Sequence, residues 1–107
     1  MTNRLQQLLD LLAGQPEDAF LFFAIAKEYE KLGQSDEALR WYQQLVGKDP
    51  GYTGTYFHLG KLQEKVGDEE AARQTFQSGI AICRKAGDFH ALSELQGALM
   101  NLDLGAD

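Results

Sequence analysis

Apolar residues recur along this chain at intervals of three and four, and Gly, Pro and Asp break the resulting stripes at regular places. Leu5, Leu8, Leu9 and Leu12 draw the first stripe, which predicts a helix over 3–13 that Thr2 or Asn3 can cap. Gly14 to Pro16 stop it, and Glu17 and Asp18 stand where acidic groups favour the start of the next helix. That second helix, 17–32, carries Phe22, Ile25, Ala26 and Tyr29, and Gly33 ends it in a left-handed conformation that costs glycine little. Ser35 or Asp36 is expected to cap a third helix with Ala38, Leu39, Tyr42, Leu45 and Val46 on its apolar side. Asp49-Pro50-Gly51-Tyr52 reads as a turn, because Pro50 cannot continue a helix. A fourth helix, 53–66, places Tyr56, Leu59, Gly60 and Leu62 together and closes at Gly67. Asp68 caps a fifth, with Ala72, Phe76, Gly79, Ile80 and Cys83 on its apolar face. Gly87-Asp88 repeats that stop-and-cap device, and a sixth helix is expected to put Phe89, Leu92, Leu95, Leu99 and Leu102 on one face. No segment alternates in the manner of a strand, so the chain reads as all-α.

The stripes repeat. Pro16 and Pro50, Gly33 and Gly67, and Ala38 and Ala72 are each 34 residues apart. Phe22 falls on Tyr56, Phe23 on Phe57, Lys27 on Lys61, Glu30 on Glu64, Lys31 on Lys65 and Tyr42 on Phe76 at the same spacing. Self-similarity of this period means stacked copies of one helix–turn–helix unit, each burying its apolar face on a neighbour. The pattern resembles the tetratricopeptide repeat. One copy, 19–52, offers Phe22, Ile25, Ala26, Tyr29, Ala38, Tyr42 and Pro50 at the characteristic places, with Leu45 large where a small residue is usual. A second, 53–86, offers Tyr56, Leu59, Gly60, Ala72, Phe76 and Gly79, and departs at Gln63 and Arg84.

The resemblance implies a right-handed superhelix of antiparallel helix hairpins, about six helices in one domain over 1–107. Residues 1–18 would be the helix of a truncated repeat and 87–107 a capping helix, whose Gly87-to-Leu92 spacing equals that of Gly67 to Ala72. Small residues at Ala26, Ala38, Gly60 and Ala72 would let helices approach, with Tyr42 and Phe76 filling the space between hairpins. Arg84 in place of proline implies a fifth helix longer than the third.

Composition narrows the partners. The 107 residues carry a formal charge of −6, which opposes electrostatic binding to nucleic acid or anionic lipid. No apolar run approaches the ~20 residues needed to span a bilayer. The N-terminus lacks the layout of a secretory signal, since Gln6, Gln7 and Asp10 interrupt its leucines. Cys83 is the one cysteine, which suits a reducing compartment, the cytoplasm by default. Its neighbours Ile80 and Ile82 point to a packed thiol in place of a reactive one, though Arg84 and Lys85 stand near.

In the family that the repeats resemble, the first helix of each pair lines a concave wall. Beside the apolar stripes of the second and fourth helices run two matched sets, Phe23, Lys27, Glu30 and Lys31 in one and Phe57, Lys61, Glu64 and Lys65 in the other, flanked by Phe20 and His58. These are the candidate peptide-binding residues, suited to a protein or peptide segment with apolar and acidic groups. The same lysines and glutamates also form i, i+3 pairs of the kind that decorate a solvated helix. Some members of the family clamp the C-terminal carboxylate of a chaperone with Lys and Asn where this chain has Phe23 and Lys27, so that clamp is missing.

Chemistry has little support. Gly60-Lys61 is followed by Leu62 and preceded by Gly54 one residue too early for a phosphate loop. His58 and His90 lack companions at metal-ligand spacing, Glu69 and Glu70 suit a helix start, and no nucleophile stands beside a base. The expectation is a non-enzymatic scaffold without metal or cofactor. The rival is self-association as a homodimer, because Trp41 lies off the Tyr42 stripe, where it would face the outer side, and Leu99, Met100, Leu102 and Leu104 exceed what one buried face needs.

Overall fold

The computed structural model describes residues 3–105, and all the regular structure among them is helical. Six helices follow in order: α1 (Asn3–Gly14), α2 (Ala19–Lys31), α3 (Ser35–Lys48), α4 (Gly54–Lys65), α5 (Glu69–Ala86) and α6 (Phe89–Leu104). They group into two compact units that divide after Asp49. Thr2, one of the two expected caps of α1, lies outside the described residues.

In the first unit, α2 is held from both sides. Asp18 caps it, accepting from the backbone N–H of Phe20 at 2.9 Å and of Leu21 at 3.4 Å. One side of α2 buries Phe22 and Ala26, and α3 answers with Ala38, Tyr42 and Leu45. The other side buries Leu21, Ala24 and Ile25 against Leu5 and Leu8 of α1. This second buried face also takes in Glu28, which is 7% exposed and sits 3.7 Å from the Arg4 guanidinium. A helix read from one stripe of apolar residues hides such a face, because α1 covers it from a distance in sequence.

Two sequence expectations change here. The α3 N-cap is Gln34, without a side-chain cap bond, and Ser35 and Asp36 lie inside the first turn. Asp36 and Glu37 there favour the helix through its dipole instead. Trp41 is half-buried, not displayed on an outer surface: its ring meets that of Phe22 at 5.4 Å and packs on the α1–α2 cluster. Lys48 closes the far end, 5.3 Å over the Phe22 ring and 2.9 Å from Glu17.

In the second unit, α4 and α5 form the hairpin and α6 packs on both. Tyr56, Leu59, Leu62, Ala72, Phe76, Ile80 and Cys83 are buried. Two glycines bring the helices into contact. A Cβ on Gly60 would lie 2.2 Å from the Phe76 ring, and one on Gly79 would lie 2.5 Å from Tyr56 Cβ and 2.9 Å from Leu95. Gln63, which departs from the family pattern, accepts a hydrogen bond from the Thr75 hydroxyl at 2.6 Å and so joins α4 to α5. Helix α5 has 18 residues against 14 in α3, the longer helix that Arg84 implies.

Among the described residues the left-handed ones are all glycine, at Gly33, Gly67, Gly87 and Gly105. Asp68 and Asp88 cap α5 and α6 by accepting from the N–H groups of Ala71 and Ala91, each at 3.1 Å. The buried face of α6 differs from the expected one. Ala91, Leu95, Ala98 and Leu102 are buried, Leu92 and Leu99 lie at the edge, and Phe89 is 72% exposed. Ala91 and Ala98 share that face with Leu95 and Leu102, and the bare backbone of Gly79 lets Leu95 come in close.

Candidate protein-binding face

The first helix of each repeat, α2 or α4, is expected to carry a matched set of aromatic, basic and acidic side chains. On α2, Phe23 is half-buried with its ring edge-on to Tyr42 at 6.2 Å. Lys27 and Lys31 are exposed, and Phe20 is 56% exposed one turn before Phe23. Glu30 bonds across the hairpin, where the Tyr42 hydroxyl donates to its Oε1 at 2.8 Å. Tyr42 is fully buried, and that burial, then the bond to Glu30 and its charge, pushes the phenol well above its ordinary pKa. The hydroxyl thus stays a donor, and Glu30 joins α2 to α3.

On α4, Phe57 and His58 are half-buried, with their rings edge to face at 5.6 Å. Lys61 Nζ lies 3.4 Å from Glu64 Oε1, the i, i+3 pair that the sequence admits. Lys65 is exposed in the last turn. The two repeats differ in how the hairpin is bonded. Phe76 replaces the Tyr42 hydroxyl, so Glu64 turns to Lys61 while Gln63–Thr75 makes the inter-helix bond. In both units the aromatic residue is half-buried, and an exposed or half-buried lysine stands one turn on.

The remaining chemistry-bearing groups have structural places. Cys83 is buried, and burial with the nearby Asp88 charge raises its thiol above the ordinary value, as for a packed cysteine. His90 is exposed and 3.9 Å from Glu94. Among the described residues, no group of three or more His, Cys, Asp or Glu could hold a metal ion, and no helix is long and apolar enough to cross a membrane. Asp88 links two elements, accepting from the Thr53 hydroxyl at 2.6 Å as well as capping α6. Those two bonds, Thr53's first, hold its carboxyl below the usual range. The sequence signals neither the Thr53–Asp88 nor the Tyr42–Glu30 bond, since each joins residues on separate elements.

An all-α chain of helix hairpins with glycine-stopped, aspartate-capped helices and glycine–aromatic contacts defines a helical repeat protein. The sequence pattern of the tetratricopeptide repeat matches residues 21–52 and 53–85, more than half of the chain, and the protein belongs to that family. A TPR repeat-containing protein of Pseudomonas aeruginosa is 32% identical over 99 residues, covering 92% of this chain and 94% of that protein. The solution structure of a Bordetella parapertussis protein is similar over 98% of this chain and 91% of its own, with 31% identity and a TM-score of 0.84. The crystal structure of PcrH in complex with the chaperone-binding region of PopD shares the fold, with a TM-score of 0.85 at 19% identity over 96% of this chain and 78% of that one.

Proposed function

We propose that the chain is a non-enzymatic protein-interaction module that holds a segment of another protein against the first helix of each repeat. Phe23 and Lys27 on α2, and Phe57 and Lys61 on α4, make the contacts. The observation that carries this reading is the repetition itself. The same aromatic–lysine pair stands at the same register in both repeats, with both rings half-buried, Lys27 exposed and Lys61 half-buried. A half-buried ring is already ordered, so it offers apolar area at little entropic cost. Lysines on a body of net charge −6 mark a local site for acidic groups and orient them. A fold neighbour, PcrH, was solved in complex with the chaperone-binding region of PopD, which supports this reading. Glu30 and Glu64 serve by holding Tyr42 and Lys61 in place. A lone buried thiol suits a reducing compartment, and the cytoplasm is the location this reading takes.

Capture from an extract of the native cell tests the reading. Phe23→Ala with Phe57→Ala is expected to abolish capture. Lys27→Glu with Lys61→Glu should weaken an acidic partner by about tenfold at low salt, with unchanged helical circular dichroism. Capture that survives both double substitutions would refute the face.

A further inference from the structure

Helix α6 is apolar on two sides, and only one of them is used within the chain. Ala91, Leu95, Ala98 and Leu102 pack on the hairpin. A second stripe, Phe89, Leu92, Leu99, Met100 and Leu104, runs along the other side, with Phe89 72%, Met100 62% and Leu104 72% exposed. Part of this stripe forms one wall of a cavity of about 610 Å³ between α5 and α6. Ile80, Leu99, Met100 and Leu104 give it an apolar floor, and Gln77 and Gln96 flank it.

The charges on this groove are arranged by the antiparallel course of the two helices. Asp103, near the end of α6, lies beside the start of α5, where Arg73 Nε donates to its Oδ1 at 2.9 Å. Arg84, near the end of α5, stands at the opposite end of the groove. Among the described residues Arg84 has no ion-pair partner, and Asp103 Oδ2 receives no hydrogen bond. An apolar floor thus separates an available cation from an available carboxylate oxygen.

We infer that the α5–α6 groove is the interface of a twofold-symmetric homodimer, in which Arg84 of each copy meets Asp103 of the other. A twofold axis through the centre of the floor reverses the groove end for end. It lays Met100 and Leu99 on their own counterparts, and sets each cation against a carboxylate twice over. A foreign helix would need one acidic and one basic end in the right order, whereas a second copy has them by construction. A carboxylate has acceptor sites enough for Arg73 and a second arginine together. The 16 residues of α6 run about 24 Å, so the buried area falls at the low end of specific interfaces and the dimer is expected to dissociate in the micromolar range.

Sedimentation equilibrium of the full chain over a wide concentration range is the test. The protein is expected to pass from monomer to dimer, and Met100→Glu to weaken dimerisation by more than about tenfold, because it buries a charge on the floor. Arg84→Glu alone and Asp103→Lys alone should each weaken it, by placing like charges together twice. Mixing those two variants should restore a heterodimer, since every facing pair is then opposite in sign. Arg84 is exposed and unpaired, so its variant leaves the fold intact, and thermal melts check both proteins. A strictly monomeric wild type, a dimer indifferent to Met100→Glu, or a mixture that stays monomeric would each overturn the inference. In the first case the groove's occupant is a helix of another protein.

Discussion

Single residues decide how closely helices approach, and Gly60 shows it most sharply. Alanine is favoured over glycine inside a helix by about 1 kcal/mol. Here its methyl group would stand 2.2 Å from the ring of Phe76, a side chain with no exposed surface and so nowhere to move. Overpacking of this kind costs roughly 1–3 kcal/mol, so the clash outweighs the propensity. Gly60→Ala is expected to lower the denaturation midpoint, whereas Gly47→Ala, with open space around it, should leave it unchanged or raised. The smallness of Gly60 was legible in the repeat pattern, because Ala26 occupies the same register. Its partner was not, since the pattern did not say which ring lay against it. Thr55 is a residue for which the sequence held no signal at all: it is fully buried, and its hydroxyl has no hydrogen-bond partner among the described residues.

At the scale of elements, caps and loops hold the helices in order. Asp88 is the clearest case, because it starts α6 and fastens that helix to the residue before α4 through Thr53. Its two bonds favour the ionised form in the folded chain and lower its pKa. The contribution is therefore complete above the ordinary carboxylate range and is lost as pH falls through the depressed native value. Asp88→Ala should melt below the wild type at neutral pH, and the gap should close in strong acid, where both lack the charge. Thermal melts by circular dichroism across the acid range measure this. Stops and caps were readable where Gly meets Asp, because capping is local chemistry, whereas Asp18, read as part of the second helix, is the cap before it. Gln34, where the structure makes no side-chain cap, is the exception and shows that a helix start can rest on the turn before it.

For the molecule as a whole, acidic charge governs behaviour in solution. With 16 acidic and 10 basic side chains, the net charge opposes non-specific aggregation at neutral pH, and that protection is lost as the carboxylates titrate. Solubility, followed by turbidity, is expected to be lowest near pH 4.8, the isoelectric point. The repeats, the helix count and the family were all carried by the sequence, because a helix declares itself by a period of 3.6 and a stop, both set by neighbours along the chain. The aromatic and basic residues of the candidate face were visible by the same repetition. What only the tertiary structure decided are the pairings: α1 on the far side of α2, Gln63 with Thr75, Tyr42 with Glu30, and Ala91 and Ala98 beside Leu95 and Leu102 on the buried side of α6. Each depends on atoms brought together from separate helices, and periodicity along a single helix contains no record of what will lie across from it.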